Sequence, residues 1–382
     1  MYETKDEANR AKRYNRIRLA TLAGKSAWSA VGLGLFAFTG NSTRLKKTLE
    51  AFSPETRLVR PAFIASVIAA NWLWDLPVGH LAGHRVERKY GLTKQTSRGW
   101  LRDQSVGLGV GLALAVPALT GANEVMRRRP RDWWIVLSAA TIPVSVVLSN
   151  LAPVLIMPLF NKFEPLSDKD LAAQIEELAA RSGMPIAGVY SMDMSRQTEK
   201  ANAFFTGVGN TKRIVLADTM LHNFPENETM GVVAHELAHQ VHRDMWTLMA
   251  MGTTTTLSVA WGVSKIGPGV VAWMNDTTGV ETISDFAALP VLGLVAAAIG
   301  LSLTPLNSAI SRFIERRADQ FALEQTRDGR SYAETMARLG RQNLADPSPS
   351  RLVATLLYSH PPIAERIARA LVFQQSIEHI SN

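Results

Sequence analysis

The sequence contains no cysteine, and only 19% of its 382 residues are charged. The absence of cysteine excludes a disulfide-stabilised scaffold, thiol chemistry and a thiolate metal site. The charged fraction is below the roughly 25% that is typical of soluble domains. Because 47% of the residues are hydrophobic and these are clustered, a disordered chain is also excluded. The charge that is present has a basic excess, with 41 Lys and Arg against 33 Asp and Glu.

The basic residues lie in short segments between long apolar blocks. This distribution is typical of membrane-flanking loops and not of a nucleic-acid-binding surface, so we expect no nucleic acid among the partners. Six blocks are uncharged, or contain one aspartate, over lengths near the roughly 20 residues that a helix needs to cross a bilayer. They span residues 26–43, 61–84, 104–123, 133–161, 245–264 and 286–311. Buried helices of a soluble core are the alternative, but six blocks favour a polytopic membrane protein.

The apolar blocks divide the chain into five regions. These are a basic tail (1–25), a four-helix transmembrane region (26–161), a polar region (162–244), two further transmembrane helices (245–311) and a polar C-terminal region (312–382). Alternate loops carry 13 Lys and Arg on the side of the tail and 10 on the other side. The positive-inside rule therefore predicts that both termini and region 162–244 face the cytoplasm.

Region 162–244 combines helical and strand patterns. Residues 166–182 are amphipathic with helical spacing, and we expect Ser167 to cap that helix and Gly183 to follow its end. Residues 188–194, 201–208 and 213–216 have the composition of short strands. Another helix is expected to begin near residues 223–226. The predicted fold is mainly α, with about six transmembrane helices and a cytoplasmic region that contains a small β-sheet.

The second helix of that region contains the motif His-Glu-Leu-Ala-His at residues 235–239. Residues four apart share a helical face, so His235 and His239 can bind one ion. Glu236 lies beside them and can act as a general base. H-E-x-x-H is the zincin motif, in which zinc lowers the pKa of a bound water to about 7. A polar helix face with two surface histidines is the alternative interpretation.

A catalytic zinc requires a third protein ligand and one open position. The metzincin pattern fails, because it needs Gly at the position of His242 and His at the position of Met245. We favour Glu315, which follows the last apolar block, with Asp319 four residues later to orient a ligand histidine. His242 would then lie outside the ligand set. A surface pair between Glu315 and the neighbouring arginines is the alternative.

Several segments resemble the membrane-embedded gluzincins, namely the type-I CAAX prenyl proteases and the HtpX-like heat-shock metallopeptidases. The motif HELAH is followed about 75 residues later by SRFIERRADQFAL. Residues 76–104 and 151–166 are similar to the loop after an early span and to the segment that leaves the membrane. Residues 202–221 and 357–367 resemble the strand pair before the zinc helix and the His-Pro motif. The resemblance covers roughly residues 60–370.

The resemblance implies a function and a role for each matching residue. It implies one Zn²⁺ per chain, held by His235, His239 and Glu315, with Glu236 as the catalytic base and Asp319 as the carboxylate that supports a ligand. His360 matches a histidine that stabilises the oxyanion of the scissile carbonyl. The segment Asn202, Ala203 and Phe204 matches the strand that binds the substrate backbone. The family usually has seven spans around a chamber, whereas this sequence supplies six.

We therefore expect an integral membrane zinc metalloendopeptidase. Its expected partners are the lipid bilayer and a peptide or protein substrate, including membrane-anchored or prenylated proteins. Within the same family, the alternative to CAAX-type processing is quality control of membrane proteins. An alternative from a different functional class is a non-catalytic metal-binding scaffold or a transporter. His80 and His84 are also four residues apart and follow Asp75. These residues have two interpretations, a second metal site or a polar lining of the membrane region.

Overall fold

A computed structural model of the chain describes residues 1–53, 55–207 and 212–381, apart from the side chains of residues 56, 380 and 381. Helices dominate it. They are α1 (Lys5–Phe38), α2 (Asn41–Phe52), α3 (Thr56–Val78), α4 (Arg85–Lys89), α5 (Ser97–Arg128), α6 (Trp133–Leu151), α7 (Lys169–Arg181), α8 (Asp218–Leu221), α9 (Glu226–Val241), α10 (Asp244–Thr278), α11 (Leu289–Thr326), α12 (Gly329–Gln342), α13 (Arg351–Leu357) and α14 (Ile363–Ser381). The strands are β1 (Phe163–Pro165), β2 (Gly188–Met192), β3 (Ala203–Thr206) and β4 (Arg213–Ala217).

All six predicted apolar blocks lie mainly within long helices, in α1, α3, α5, α6, α10 and α11. Within the described residues, four helical stretches are long and apolar enough to cross a membrane: Arg57–Lys89, Ser97–Arg128, Trp133–Leu159 and Phe286–Thr326. The helix α1 is not among these stretches. The four consecutive threonines at 253–256 lower the hydropathy of α10. The number of six spans therefore stays a prediction.

Two of the membrane stretches contain irregular turns. The stretch that begins with α3 continues through a π-helical turn at Gly79–His84, and α6 ends in a π-helical turn at Ala152–Ile156 and a 3₁₀ turn at Met157–Leu159. Proline at positions 153 and 158 explains the second irregularity, since each lacks the amide that a regular helix needs. The chain then leaves the membrane region and enters the sheet.

The small sheet has the strand order β1-β2-β4-β3. The strands β2 and β4 are parallel, with Tyr190 opposite Val215, while β1 and β3 are antiparallel to their neighbours. The strand β1 was not predicted, because three residues that include Pro165 carry no strand pattern. The predicted strand at 201–208 is shorter in the structure, and its last residue lies outside the described residues.

The helix α7 covers the predicted segment, but its cap differs from the prediction. Asp168, and not Ser167, caps it, and the carboxylate accepts hydrogen bonds from the amides of Asp170 and Leu171. Gly183 follows the end of α7 with a φ of 71°, as its position suggested. Apolar residues of α7, the sheet, α9 and α12 form one core, with Ile175, Ile214 and Leu237 fully buried.

The last apolar block and the region that follows it form one continuous helix. The helix α11 has 38 residues, nearly twice the roughly 20 that a bilayer requires. Its second half extends beyond the apolar block and contacts α9. The boundary predicted at residue 311 is therefore a point within a helix, and α11 connects the membrane region directly to the sheet-containing region.

Candidate metal centre

His235, His239 and Glu315 lie together where α9 meets α11. Each offers one ligand atom, and these atoms lie within 4.8 Å of one another. Nε2 of His235 is 3.2 Å from Oε2 of Glu315, and Nε2 of His239 is 3.8 Å from Oε1 of the same carboxylate. Among the residues that the structure describes, no other group of three His, Asp or Glu side chains is close enough to hold a metal ion.

The helix α9 is held firmly by its surroundings. It begins directly after Pro225, and Glu226 and Glu228 in its first turn complement the partial positive charge of a helix N-terminus. It packs against α7, α11, α12 and β3. A Cβ atom at Gly231 would lie 3.2 Å from the ring of Tyr332, so glycine permits the close approach of α12. The two histidines therefore project from a rigid element.

Two carboxylates determine which nitrogen each histidine directs toward Glu315. Nδ1 of His235 is 3.0 Å from Oδ1 of Asp319, and Nδ1 of His239 is 2.9 Å from Oδ2 of Asp244. We assign the ring proton of each histidine to Nδ1 on the basis of these contacts. Each Nε2 then carries a lone pair that points toward Glu315.

This donor set fits a divalent metal ion. Two nitrogen lone pairs and a carboxylate that converge on one point repel one another unless a cation lies between them. Oε2 of Glu315 is buried and has no hydrogen-bond partner among the described residues. Two imidazoles and a carboxylate are also the protein ligands of many catalytic metal sites that keep a fourth position open.

The supporting carboxylates are themselves fixed by buried hydrogen bonds. Asp319 accepts a bond of 2.6 Å from the hydroxyl of Tyr332 and bonds of 2.9 and 2.5 Å from Arg366. Burial raises the pKa of Tyr332, so its hydroxyl stays protonated and can donate. Asp244 is only 1% exposed and pairs with Arg317. These contacts hold both histidine rings in one orientation.

Glu236 is in the position required of a base. It is adjacent to His235 in the same helix, and its side chain forms no hydrogen bond or ion pair with any residue that the structure describes. Burial raises the pKa of Glu236 above the ordinary value of 4.5. A carboxylate that is free of partners and has a raised pKa is able to take up a proton from water.

His360 approaches the centre from a third direction. Its Nε2 is 3.4 Å from Oε1 of Glu315, and its Nδ1 is 2.9 Å from the hydroxyl of Ser359. The side chain is 59% exposed and lines a cavity of about 270 Å³ that also contacts Arg18 of α1. His360 is therefore near the ligand group and accessible to a bound molecule.

Comparison with known proteins decides the family. Residues 165–372 match peptidase family M48, which is more than half of the chain. The chain belongs to peptidase family M48. Residues 2–162 match the CAAX prenyl protease N-terminal domain, which is described as five membrane helices. The sequence analysis predicted four spans in nearly the same region.

The relatives agree with this assignment. The uncharacterized metalloprotease YhfN of Bacillus subtilis is 31% identical over 341 residues, which cover 89% of this chain and 80% of that protein. CAAX prenyl protease 1 of Saccharomyces cerevisiae is 28% identical over 323 residues, which cover 80% of this chain and 70% of that protein. The crystal structure of S. mikatae Ste24p has the same fold, with a TM-score of 0.83, 24% identity and coverage of 96% of this chain and 89% of that one.

The predicted class of protein is thereby confirmed. The chain is an integral membrane metalloprotease that acts on peptide or protein substrates. The resemblance to the CAAX protease branch and the mainly helical membrane fold with a small sheet are also confirmed. The roles of individual residues are not decided by these comparisons and depend on the geometry of the centre.

The predicted substrate segment of this M48 peptidase forms the edge of the sheet. Asn202 is exposed, Ala203 and Phe204 begin β3, and β3 pairs only with β4 among the described residues. The amide of Ala217 donates to the carbonyl of Asn202, so the backbone groups of Ala203 and Phe205 point away from β4. The strand β3 also contacts α9. An open strand edge thus lies beside the helix that carries the histidines.

Within the described part of the chain, the other histidines of this M48 peptidase form no comparable centre. The rings of His80 and His84 are 5.3 Å apart and pack against Trp100. Asp75 accepts hydrogen bonds from Ser29 and Asn71 instead of approaching them. His242 ends α9 with its ring against Phe321, and it is not part of the group formed by the ligand candidates.

The sequence analysis missed four residues of the centre: Asp244, Arg317, Tyr332 and Arg366. Asp244 is close in sequence to His239, but a single aspartate after a helix carries no distinctive pattern. Arg366 lies within the segment 357–367 that carried the family resemblance, so the resemblance of that segment could have indicated a role for Arg366. The contacts of Arg366 and Tyr332 depend on how α12 and α14 pack, which the sequence does not reveal.

Proposed function

We propose that this M48 peptidase is a zinc metalloendopeptidase, with His235, His239 and Glu315 as the metal ligands. The observation that carries the proposal is the convergence of two Nε2 atoms and one buried carboxylate. The contacts of both Nδ1 atoms with carboxylates favour the tautomer that metal binding requires. Zinc is the metal that this set of nitrogen and oxygen ligands favours in a catalytic site.

The residues around the ligands have complementary roles in peptide-bond hydrolysis. When bound, zinc supplies Lewis-acid activation of the scissile carbonyl and of the attacking water. Glu236 takes a proton from that water and transfers it to the leaving amine, which its partner-free carboxylate allows. His360 donates a hydrogen bond to the oxyanion, consistent with its exposed position next to Glu315.

The substrate binds to β3 as an additional antiparallel strand. Asn202 engages the substrate backbone beside the first residues of β3, and the outward backbone groups of Ala203 and Phe205 provide the pairing edge. Main-chain pairing is tolerant of sequence. The selectivity of the enzyme is therefore set by the shape of the surrounding membrane region and by where the substrate is anchored.

Membrane-anchored proteins, including prenylated ones, are the proposed substrates. CAAX prenyl protease 1 of Saccharomyces cerevisiae is among the relatives whose names state this substrate class. The second half of α11 extends from a membrane helix directly to the ligand group, so the centre lies near the bilayer surface where a lipid anchor would hold its peptide. The centre and both termini face the cytoplasm according to the distribution of basic residues.

Replacement of the base tests the proposal. We expect Glu236→Gln to retain one zinc per chain and to lose peptidase activity by a factor of at least about 100, because general-base catalysis is worth roughly 10²–10⁴-fold. Zinc content and cleavage of a quenched fluorescent peptide are measured on the purified full-length protein. Glu324→Gln is the matched control, since Glu324 is an exposed carboxylate of α11. Wild-type cleavage by Glu236→Gln would refute the mechanism.

A second assay addresses the substrate class. The same peptide is presented in lipid nanodiscs with and without a C-terminal prenyl group, together with an unfolded membrane protein as a competing substrate. We expect faster cleavage of the prenylated form at equal bulk concentration, because the anchor concentrates the peptide at the bilayer. Equal rates for the two peptides and preference for the unfolded protein would indicate quality control instead.

A further inference from the structure

A crevice opens between the beginning of α3 and the end of α5. It has a volume of about 720 Å³, and its described lining residues belong to these two helices. The start of α3 packs against Phe286 and Leu289 at the beginning of α11. Glu315 lies 26 residues after Leu289, or about 39 Å along the helix at about 1.5 Å per residue. The crevice is therefore separate from the metal centre.

The charge of this crevice is positive. Its lining includes the guanidinium groups of Arg57, Arg60 and Arg127 and the carboxylate of Glu124, while the remaining lining residues are apolar except for Thr120. Glu124 pairs with Arg60 at 2.7 Å and with Arg127 at 3.0 Å. A single carboxylate cannot neutralise three guanidinium groups. The exposed Glu55 reaches Arg57 at 2.7 Å, but water weakens that contact.

Two hydrogen-bond donors of the crevice are buried without partners. Nε of Arg60 and Oγ1 of Thr120 form no hydrogen bond with any described residue, although neither atom is accessible to solvent. The side chain of Arg60 is only 9% exposed. Both side chains line the crevice, and buried donors are nearly always satisfied in folded proteins, so these two covered atoms are available to an acceptor once their side chains turn toward it. The neighbouring positive charge specifies that this acceptor is an anion.

The position of the crevice identifies the kind of anion. The helices α3 and α5 both belong to stretches that are able to cross a membrane, and the crevice lies where α3 begins and α5 ends. The phosphate groups of a bilayer lie at this level. The apolar part of the lining, which includes Pro61, Val116 and Pro117, would contact the beginning of an acyl chain. Clusters of arginine at membrane-helix ends are typical binding sites for phosphate headgroups.

We propose that this crevice binds the phosphate of an anionic phospholipid headgroup. The side chains of Arg60 and Thr120 turn toward the crevice on binding, and Nε of Arg60 and the hydroxyl of Thr120 then donate to phosphate oxygens. Arg57 and Arg127 supply charge at its mouth. The bound lipid connects α3 to α5 at the membrane surface remote from the metal centre, so the site is structural and independent of the peptidase reaction.

Lipid binding to the detergent-purified full-length protein tests the proposal. The unfolding temperature is measured during titration with dihexanoyl phosphatidylglycerol, and an apparent Kd is derived from the shift. The test variants are the double replacement Arg57→Gln with Arg127→Gln, and Thr120→Val. Arg128→Gln is the matched control, because Arg128 pairs with the same Glu124 at 2.6 Å but does not line the crevice.

We expect the double replacement to weaken binding by about tenfold or more, since it removes two of the three guanidinium charges in the lining and each charge-assisted contact contributes enough for roughly that factor. Thr120→Val should weaken it severalfold, and Arg128→Gln should bind as wild type does. Arg57 and Arg127 are 81% and 50% exposed, so the double replacement leaves the fold intact. Unchanged helical content and peptidase activity verify this.

Further ligands identify the source of the phosphate. Dihexanoyl phosphatidylcholine should bind more weakly than the anionic lipid, because its choline group cancels the charge that the arginines attract. Glycerol phosphate and inorganic phosphate should stabilise the protein little at the same concentration. Equal binding of the anionic lipid by all four proteins would overturn the proposal. Full stabilisation by inorganic phosphate alone would overturn the assignment to a lipid.

Discussion

The orientation of the two imidazole rings of the centre depends on the carboxylates that contact them. Each histidine contacts a carboxylate through Nδ1, which favours a proton there and leaves Nε2 available as the proposed ligand atom. The i and i+4 positions of His235 and His239 were predictable, because helix geometry alone brings them together. Asp244 was not predictable, since its contact with His239 requires the turn between α9 and α10. Arg243 forms that turn with a φ of 57°.

We expect Asp244→Asn to lower zinc affinity by about 10- to 100-fold, the usual effect of removing a carboxylate that supports a ligand histidine. The amide can no longer act as a charged acceptor for Nδ1 of His239, and Arg317 loses its partner. Competition with a calibrated chelator measures the affinity. Asp276→Asn is the control, because Asp276 is an exposed aspartate of the same helix. Equal affinities of the two variants would show that Asp244 does not orient the ligand.

At the scale of elements, the sequence analysis predicted the position of the β3 segment in the chain but not that β3 forms an open edge of the sheet. The segment 201–208 was correctly placed before the zinc-motif helix, yet strand order depends on contacts between distant residues. β2 and β4 pair in parallel although β3 separates them in sequence, which makes β3 an edge. The unpredicted β1 occupies the opposite edge and protects it. Among the described strands, β3 is the edge strand that contacts α9.

Phe205→Pro tests this edge. Proline removes the outward amide of residue 205, while the bonds between β3 and β4 remain, because they involve the alternate residues. We expect kcat/KM to fall about 2- to 10-fold beyond the effect of Phe205→Ala, which is the loss of one net hydrogen bond of roughly 0.5–1.5 kcal/mol. The alanine variant controls for the loss of the ring. If both variants cleave at the same rate, the substrate does not pair with this amide.

On the scale of the whole molecule, one metal ion would connect two parts of the chain that the sequence separates. His235 and His239 belong to the sheet-containing region, whereas Glu315 belongs to the helix of the last membrane span. Six apolar blocks predicted the long helices correctly, because a membrane span leaves a strong pattern. The packing of α12 and α14 around Asp319 leaves no such pattern in the sequence, since these helices have ordinary amphipathic or mixed sequences.

Chelation should therefore destabilise the protein. A ligand present at 100 times its Kd stabilises the folded state by about 2.7 kcal/mol, and this contribution is lost when the metal is removed. We expect EDTA to lower the unfolding temperature of the wild type and excess zinc to restore it. Glu315→Ala should show a much smaller response and reduced zinc content. An undiminished zinc content in that variant would exclude Glu315 as the third ligand and direct attention to His242.

The absence of cysteine makes the orientation in the membrane directly measurable. Single cysteines at Glu177 in α7 and at Arg131 between α5 and α6 are exposed and provide the only thiols of each variant. The positive-inside rule places Glu177 in the cytoplasm and Arg131 outside. An impermeant maleimide should thus label Arg131→Cys in intact cells, and Glu177→Cys only after permeabilisation. The reverse pattern would invert the topology and place the metal centre on the outer face, where prenylated cytoplasmic proteins do not reach it.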